Sequence, residues 1–312
     1  MDPVKALRAF PFSGRARSAF RRLPIGLDVS PHRVAAVALS EGGGTVRIEG
    51  AYSVTPETDA HDALVAAVRT VVRKLNTDER RCIIRLSVPD AYATRMTLAP
   101  GMNRFATLRA AGLEARRFDD EFPIRDRSVS LGPGTGDAWI LGVARKSAIR
   151  RATAIASRAG LRVAAVDHEA CAWRRAVADV DAVLDVGPRE LRLTLFGEPV
   201  GESVVLSTET AEDDLVEQLR ARFNVARLED VADVRRLAVV GDVVANAAFL
   251  ARVADACGVA VIPATLPDEP MPGPVPWLLA YGLALWSIEG KVGVPAPDQA
   301  AEEEAAVAEP FF

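Results

Sequence analysis

A hairpin-like motif that occurs twice constrains the fold of this chain more than any other sequence feature. Residues 26–39 read GLDVSPHRVAAVAL and residues 183–196 read VLDVGPRELRLTLF, so that Asp28 aligns with Asp185. Each copy is a short apolar strand that ends near an aspartate, then a turn and a second β-rich strand, and this pattern predicts a β-hairpin. Two such hairpins predict a duplicated fold whose halves face each other across a cleft. The alternative is that a common strand-and-turn sequence occurs twice by chance, and the matching apolar residues around the aspartates favour duplication.

The paired aspartates indicate what chemistry such a cleft could carry. Backbone N–H groups of two facing loops can hold a phosphate chain from both sides, while each carboxylate orients a hydrated Mg²⁺ ion. Asp28 and Asp185 are therefore the candidate metal residues. A structural alternative also accounts for them, because a turn aspartate often accepts hydrogen bonds from its own backbone.

Length and charge exclude several classes of protein. A chain of 312 residues suits two domains of medium size, and a net charge of −4 gives no general attraction to nucleic acid or anionic lipid. The longest apolar run, Val275–Ile288, is shorter than the roughly 20 residues that span a bilayer. No secretory signal is visible at the N-terminus. These features predict a cytoplasmic protein without a nucleic-acid partner.

Patterning divides the chain into two halves and two tails. Residues 1–23 form a predicted basic flexible tail and residues 291–312 an acidic one, because each carries charge of mostly one sign. Residues 24–180 and residues 181–290 each begin with strands and continue with alternating helix and strand. This order is typical of a mixed sheet covered by helices. The first half carries a predicted inserted subdomain at about residues 80–165.

The order and spacing of several segments resemble the actin-like ATPase superfamily, and within it the PilM family of type IV pilus assembly proteins. The similarity runs over most of residues 24–288. The segments that carry it are residues 26–39, 159–177, 182–206, 235–264 and 278–286. The resemblance implies an α/β, actin-like (ribonuclease H-like) duplicated two-domain fold with a small inserted subdomain in the first half.

The resemblance also assigns cofactor-binding roles to five residues. Asp28 and Asp185 match the carboxylates that hold Mg²⁺ and water, Ser30 and Gly187 lie in the two phosphate loops, and Gly241 matches a glycine of the adenosine turn. ATP and Mg²⁺ are the cofactors that this assignment implies.

Several positions depart from the family pattern in ways that weaken nucleotide binding. Ser30 replaces a glycine, and Ala35 replaces the lysine that would meet phosphate. Pro31 and Pro188 each remove a backbone N–H from a loop that would donate it. Asp242 stands where the adenosine turn has a second glycine. These departures predict that nucleotide binding is weak or lost and that steady hydrolysis is negligible.

No residue receives a catalytic role. Asp167 and Glu169 lie where a water-positioning side chain could come from, but the match is to PilM segments in general and not to a catalytic signature. Glu169 has a structural alternative as the first-turn acid of its helix, where the helix dipole stabilises a carboxylate.

The function that the resemblance implies is that of a scaffold. A PilM-like protein is a cytoplasmic component of type IV pilus assembly that lies at the inner membrane through its partners and forms a homo-oligomeric ring. It holds the N-terminal cytoplasmic peptide of a PilN-type inner-membrane protein, here expected in the groove between the inserted subdomain and the rest of the first half.

Two alternatives stay open. The first is an active ATPase or a sugar-kinase-like enzyme, which needs a donor-rich phosphate loop and a dedicated base. The second is a cell-division or type II secretion actin homologue. A division homologue is expected to end in a basic amphipathic helix, and an anchored secretion homologue needs a transmembrane helix.

Overall fold

Two sheets of the same strand order form the framework of this protein. The computed structural model describes residues 20–287, apart from residues 44, 100, 134–137, 178, 188–189, 198–201, 208–211, 229–232, 242–245 and 265–274. Most of the predicted basic tail and the whole of the acidic tail lie outside the described residues.

The helices of the first half cover one sheet and a small extra sheet. The longest of them, His61–Leu75, buries an apolar face that recurs every three or four residues and ends at Asn76, whose backbone is left-handed. The elements are, in chain order, β1 (Arg21–Arg22), β2 (Ile25–Val29), β3 (Val34–Gly42), β4 (Thr45–Val54), α1 (His61–Leu75), β5 (Arg81–Leu86), β6 (Ala91–Thr97), α2 (Arg104–Glu114), β7 (Arg127–Pro133), β8 (Ala138–Arg145), α3 (Lys146–Arg158), β9 (Arg162–His168) and α4 (Glu169–Ala176).

Among its described residues, the second half repeats the main elements of the first and has no counterpart of the extra sheet. Two one-turn 3₁₀ helices, at Ala115–Phe118 and Ile124–Asp126, belong to the first half, and another, at Leu285–Ser287, belongs to the second. The elements of the second half are β10 (Ala182–Val186), β11 (Glu190–Leu195), β12 (Glu202–Ser207), α5 (Glu212–Leu228), β13 (Arg236–Gly241), α6 (Ala247–Cys257), β14 (Ala260–Pro263) and α7 (Leu278–Ala284).

The strand order confirms the predicted duplication of the fold. The first main sheet runs β4-β3-β2-β5-β9, and the second runs β12-β11-β10-β13-β14. Among the first three strands in each order, neighbours are antiparallel. The fourth and fifth strands, β5 and β9 or β13 and β14, run parallel to the third, β2 or β10. The two repeated motifs also share their register, since Val29 pairs with Val34 and Val186 pairs with Leu191.

The inserted subdomain is narrower than predicted. It is an antiparallel sheet of order β6-β8-β7 with α2 against one face, and its small core includes Phe122, Leu141 and Val143. The predicted limits of about 80–165 also include β5, α3 and β9. Both β5 and β9 belong to the main sheet, because β5 pairs in parallel with β2 and with β9.

The limit of the basic tail also needs correction. Arg21 pairs with Glu41 and Arg22 with Ser40, so β1 continues the main sheet beside β3. Leu23 is buried in the core between the halves. The segment from Arg21 onwards is therefore part of the fold, and the predicted limit of the tail at residue 23 lies too far along the chain.

The two halves meet through α4 and α7, which lie between the main sheets. This central core contains Trp173 from α4, Leu279 and Leu283 from α7, and apolar residues of both sheets. In the part of the chain that the structure describes, no helix is both long enough and apolar enough to cross a membrane.

Candidate functional site

Asp28 and Asp185 come together in the cleft, as the repeated motif predicts, and an arginine lies between them. They lie on equivalent central strands of the two main sheets, β2 and β10. Arg33, in the turn before β3, donates to both oxygens of Asp185, with Nη2–Oδ2 at 2.8 Å and Nη1–Oδ1 at 3.3 Å. The same Nη2 lies 3.5 Å from Oδ2 of Asp28. One guanidinium thus bridges a carboxylate of each half.

A second arginine continues the series into the first half. Arg85 on β5 is almost completely buried, and its Nε lies 3.1 Å from Oδ1 of Asp28. This contact is an ion pair outside hydrogen-bond geometry, because Asp28 Oδ1 has no hydrogen-bond partner among the described residues. Nη1 of Arg85 lies 3.6 Å from Oε2 of Glu169 at the start of α4. Arg85 therefore links the Asp28 carboxylate to a second buried carboxylate.

The series returns to the second half through Arg192 on β11. Its Nη1 lies 3.2 and 3.3 Å from the two oxygens of Glu169 and 3.3 Å from the carbonyl oxygen of Val88. Arg192 stands directly opposite Asp185 in the β10–β11 pair. The six residues that alternate in charge across the cleft are called the cleft ion-pair chain below, namely Asp185, Arg33, Asp28, Arg85, Glu169 and Arg192.

Burial and neighbouring opposite charges have opposing effects on the pKa values of residues in the cleft ion-pair chain. Burial raises the pKa of Glu169, and the guanidiniums of Arg192 and Arg85 oppose this rise. Burial acts to lower the pKa of Arg33, but the carboxylates of Asp185 and Asp28 outweigh it and the pKa is raised. Three carboxylates face three guanidiniums, so the cleft ion-pair chain is balanced in formal charge without any added ion.

As arranged here, the predicted metal residues do not fit a Mg²⁺ ion. Mg²⁺ requires oxygen ligands in near-ideal octahedral geometry. Both oxygens of Asp185 and both oxygens of Asp28 face guanidinium nitrogens instead. Within the described ranges, no three His, Cys, Asp or Glu side chains are grouped so that they could hold a metal. A divalent cation would add two charges to a balanced set and would have to displace Arg33.

Ser30 and Gly241 have clear structural roles. The hydroxyl of Ser30 donates to the carbonyl of Arg33 at 2.9 Å and accepts from the N–H of Arg33 at 3.0 Å. Ser30 therefore orders the turn that presents Arg33. Gly241 has φ +100°, and a Cβ there would overlap the carbonyl oxygen of Val186 on the neighbouring strand. Nucleotide binding by these two residues stays a prediction.

The second predicted phosphate loop is described only at its start. Gly187 follows β10, whereas Pro188 lies outside the described residues, and so does Asp242 of the predicted adenosine turn. The role of Gly187 therefore also stays a prediction.

The three arginines of the cleft ion-pair chain were not predicted from the sequence. The family pattern indicated a phosphate-binding cation at position 35, where the repeat aligns Ala35 with Arg192. Two signals could have found two of them, Arg85 and Arg192. Arg85 is a charge in the interior of the strand RCIIRL, directly after three apolar residues, and the hairpin register places Arg192 opposite Asp185. Both features indicate buried charges that need partners.

Asp167 and Glu169, the candidates for positioning water, both pair with arginines. Glu169 belongs to the cleft ion-pair chain, and Asp167 pairs with Arg175 of α4. Burial raises the pKa of Asp167, and Arg175 opposes this rise. Arg175 also donates from Nε to the carbonyl of Gly282 on α7 at 2.9 Å, so this pair lies where the two central helices cross.

A cavity lies between the inserted sheet and the main sheet of the first half. Its walls come from β5, β6, β7, β8, β9, α3 and α4, and are largely apolar. Among the residues that line it are Leu86, Ala93, Ile140, Gly142, Val166 and His168. This is the place where the resemblance puts a partner peptide.

His168 connects this cavity to the start of α4. Its Nδ1 accepts from the N–H of Ala170 at 3.3 Å, and its Nε2 lies 3.3 Å from the carbonyl oxygen of Ala91 on β6. Accepting at Nδ1 requires the neutral ring, with the proton on Nε2, which then donates to Ala91. Burial lowers the pKa of His168, against the influence of Asp167.

This geometry predicts a loss of stability in mild acid. The unfolded chain takes up a proton at His168 near pH 6.5, whereas the folded chain does so only at a lower pH. Stability from this group is therefore complete above about pH 6.5 and falls below it, by up to about 1.4 kcal/mol per pH unit. Urea unfolding at several pH values should show a shallower fall in His168→Gln than in the wild type. Equal slopes in the two proteins would contradict the assignment.

Comparisons with known proteins support the fold that the strand order indicates. No protein-family model and no curated protein matches the chain. A chain of a solved structure described as "PilM-PilN type IV pilus biogenesis complex" is 18% identical with a TM-score of 0.67, covering 86% of this chain and 99% of that one. The cytoplasmic domain of EpsL, an inner membrane component of the type II secretion system of Vibrio cholerae, is 11% identical with a TM-score of 0.53. This match covers 89% of this chain and 99% of the EpsL domain.

At these identities the similarity is one of fold, and it covers 86% and 89% of this chain. The chain therefore has the actin-like ATPase fold, and the resemblance to the PilM family predicted from its sequence is confirmed at the level of the fold.

Proposed function

We propose that this protein is an actin-like scaffold of type IV pilus assembly that binds the N-terminal cytoplasmic peptide of a PilN-type inner-membrane protein. The observation that carries the proposal is the similarity in fold to a chain of the PilM–PilN complex, over 86% of this chain at a TM-score of 0.67. The lower TM-score of 0.53 with EpsL makes type II secretion the weaker alternative. On this proposal the protein is cytoplasmic, reaches the inner membrane through its partner and forms a ring.

The state of the nucleotide cleft supports a scaffold over an enzyme. Pro31 cannot donate a backbone N–H, and Ala35 carries no charge for phosphate. The guanidiniums of Arg33 and Arg85 are engaged by carboxylates of the same protein. Each missing hydrogen bond to a charged group weakens binding by about 1.5–3 kcal/mol, or roughly ten- to a hundredfold. We therefore propose that ATP and Mg²⁺ bind weakly or not at all and that hydrolysis is negligible.

The cavity beside the inserted sheet is the proposed peptide site. The face of the inserted sheet that lines it includes Ala93, Ile140 and Gly142. Both outer strands of this sheet, β6 and β7, have one unpaired edge among the described residues. An open sheet edge next to an apolar cavity is the arrangement by which extended peptides bind, through main-chain hydrogen bonds and side-chain pockets.

A thermal-shift comparison of peptide and nucleotide tests the proposal on the full chain. The ligands are the N-terminal cytoplasmic peptide of the single-span membrane protein encoded next to this gene, and ATP with MgCl₂. A ligand present at a hundred times its Kd adds about 2.7 kcal/mol. For a protein of this size that corresponds to a rise in Tm of roughly 3–5 °C. We expect this rise with the peptide and little change with ATP.

Two matched variants make the test specific to the cavity. Ile140→Arg places a charge in the lining of the cavity and should abolish the shift caused by the peptide. Val129→Arg changes a partly exposed residue of the same inserted sheet that is not among the residues lining the cavity, and the shift should remain. A rise in Tm with ATP but not with the peptide would overturn the scaffold proposal and favour an ATP-binding enzyme.

A further inference from the structure

The cleft ion-pair chain joins the two halves of the protein at two places. Arg33 of the first half holds Asp185 of the second, and Arg192 of the second half holds Glu169 of the first. The two members from the second half stand opposite each other on β10 and β11, while the four middle members belong to the first half. The cleft ion-pair chain therefore begins in the second half, passes through the first half and ends in the second half.

Arg33 is the member on which this arrangement depends most. Without it, Asp28, which has no exposed surface, would keep only Arg85 as a counter-charge and would face Asp185 across the cleft with no charge between the two carboxylates. Two carboxylates placed so close repel each other, and burial strengthens the repulsion because water screens it less. A cation is thus required between them, and in this protein it is a side chain that cannot dissociate.

We propose that Arg33 is a built-in counter-cation that holds the two halves together in place of a divalent metal ion. The bidentate contact with Asp185 and the further contact with Asp28 give a guanidinium the geometry for this role. Ser30 supports it by fixing the turn from which Arg33 projects. The cleft of the wild-type protein is consequently held in one arrangement whether or not nucleotide or metal is present. This inference does not depend on the pilus assignment.

The proposal predicts that removing Arg33 exposes a hidden cation site. In Arg33→Ala the two carboxylates lose their shared counter-charge, so Tm should be lower than in the wild type when EDTA is present. Excess MgCl₂ or MnCl₂ should then raise the Tm of Arg33→Ala by about 3 °C or more, because a cation that binds only the folded state stabilises it. The wild-type protein should show no such rise.

Two further variants separate a counter-cation from a merely structural arginine. Arg33→Ala combined with Asp185→Asn removes one of the two carboxylates and should abolish the response to Mg²⁺ and Mn²⁺. Arg175→Ala removes another buried arginine that pairs with a carboxylate, Asp167, away from the two hairpins. It should lower Tm without creating a response to divalent cations.

The outcomes decide the proposal in either direction. A Tm of Arg33→Ala that ignores Mg²⁺ and Mn²⁺, or a wild-type Tm that rises with them equally, would overturn it. If Arg33→Ala does not fold in EDTA, Arg33→Gln, which keeps donors but removes the charge, is measured in the same way. Recovery of the folded near-ultraviolet circular dichroism on adding Mg²⁺ to either variant supports the proposal, and failure of both to respond refutes it. The peptide shift is not part of this experiment, so the two proposals stand or fall separately.

Discussion

Replacement of Glu169 by alanine is expected to lower the free energy of unfolding by about 3–5 kcal/mol. Glu169 has no exposed surface, and its oxygens lie 3.2 and 3.3 Å from Arg192 Nη1. Arg85 approaches the same carboxylate at 3.6 Å. Alanine would leave two buried guanidiniums with one carboxylate fewer between them, and an uncompensated buried charge costs more than the pair contributes when intact. Urea unfolding at neutral pH, followed by tryptophan fluorescence, measures the loss.

A surface ion pair provides the control for this prediction. Glu217 on α5 forms a pair with Arg220 at 2.7 Å, but its side chain is 62% exposed. Glu217→Ala should change stability by no more than about 0.5 kcal/mol, because water and salt screen such a pair. If Glu169→Ala were as mild as Glu217→Ala, the cleft ion-pair chain could not be an important link between the halves.

Much of the fold could be predicted from the sequence because its signals are local and repeated. A strand that ends near an aspartate, followed by a turn and a second strand, sets its own register over a few residues. The pairs Val29–Val34 and Val186–Leu191 match the alignment of the two motifs for this reason. Because the same motif begins each half, the strand order predicted for one half also applies to the other.

The limits of the inserted subdomain could not be predicted because they depend on distant pairing. Whether β5 belongs to the inserted sheet or to the main sheet depends on its parallel pairing with β2, across the whole of α1. An apolar strand such as RCIIRL carries no local mark of its neighbour. The β1 strand was missed for a related reason, since two arginines at a sheet edge look the same as the end of a basic tail.

The candidate site could be predicted in its acids but not in its cations. The aspartates lie in the repeated motif, whereas the partner of Asp185 is Arg33, 152 residues away in the chain. Such a pair exists only because the halves approach closely, and the closeness is set elsewhere, at the crossing of α4 and α7. The departure at position 35 was visible in the sequence, but the compensating charge two residues earlier acquires its meaning only in the folded protein.

The close crossing of α4 and α7 depends on small residues. A Cβ added at Gly282 would overlap the carbonyl oxygen of Ala172 and would lie 3.1 Å from Cβ of Ala176. The carbonyl of Gly282 also accepts a hydrogen bond from Arg175. Backbone atoms of one central helix thus touch the other directly, which leaves no flexible side chain to move aside.

Gly282→Ala is therefore expected to destabilise the protein by about 3 kcal/mol or more, although alanine favours a helix over glycine by about 0.5–1 kcal/mol. Gly112 on α2 is the matched control, because it too is a helical glycine and a Cβ there meets nothing within 4 Å. Gly112→Ala should be neutral or slightly stabilising in urea unfolding. Since α4 and α7 set the distance between the halves, Gly282→Ala should also weaken the Arg33–Asp185 contact, so its effect and that of Arg33→Ala should not add. Additive effects, or a Gly282→Ala protein as stable as the wild type, would show that the halves do not rely on this crossing.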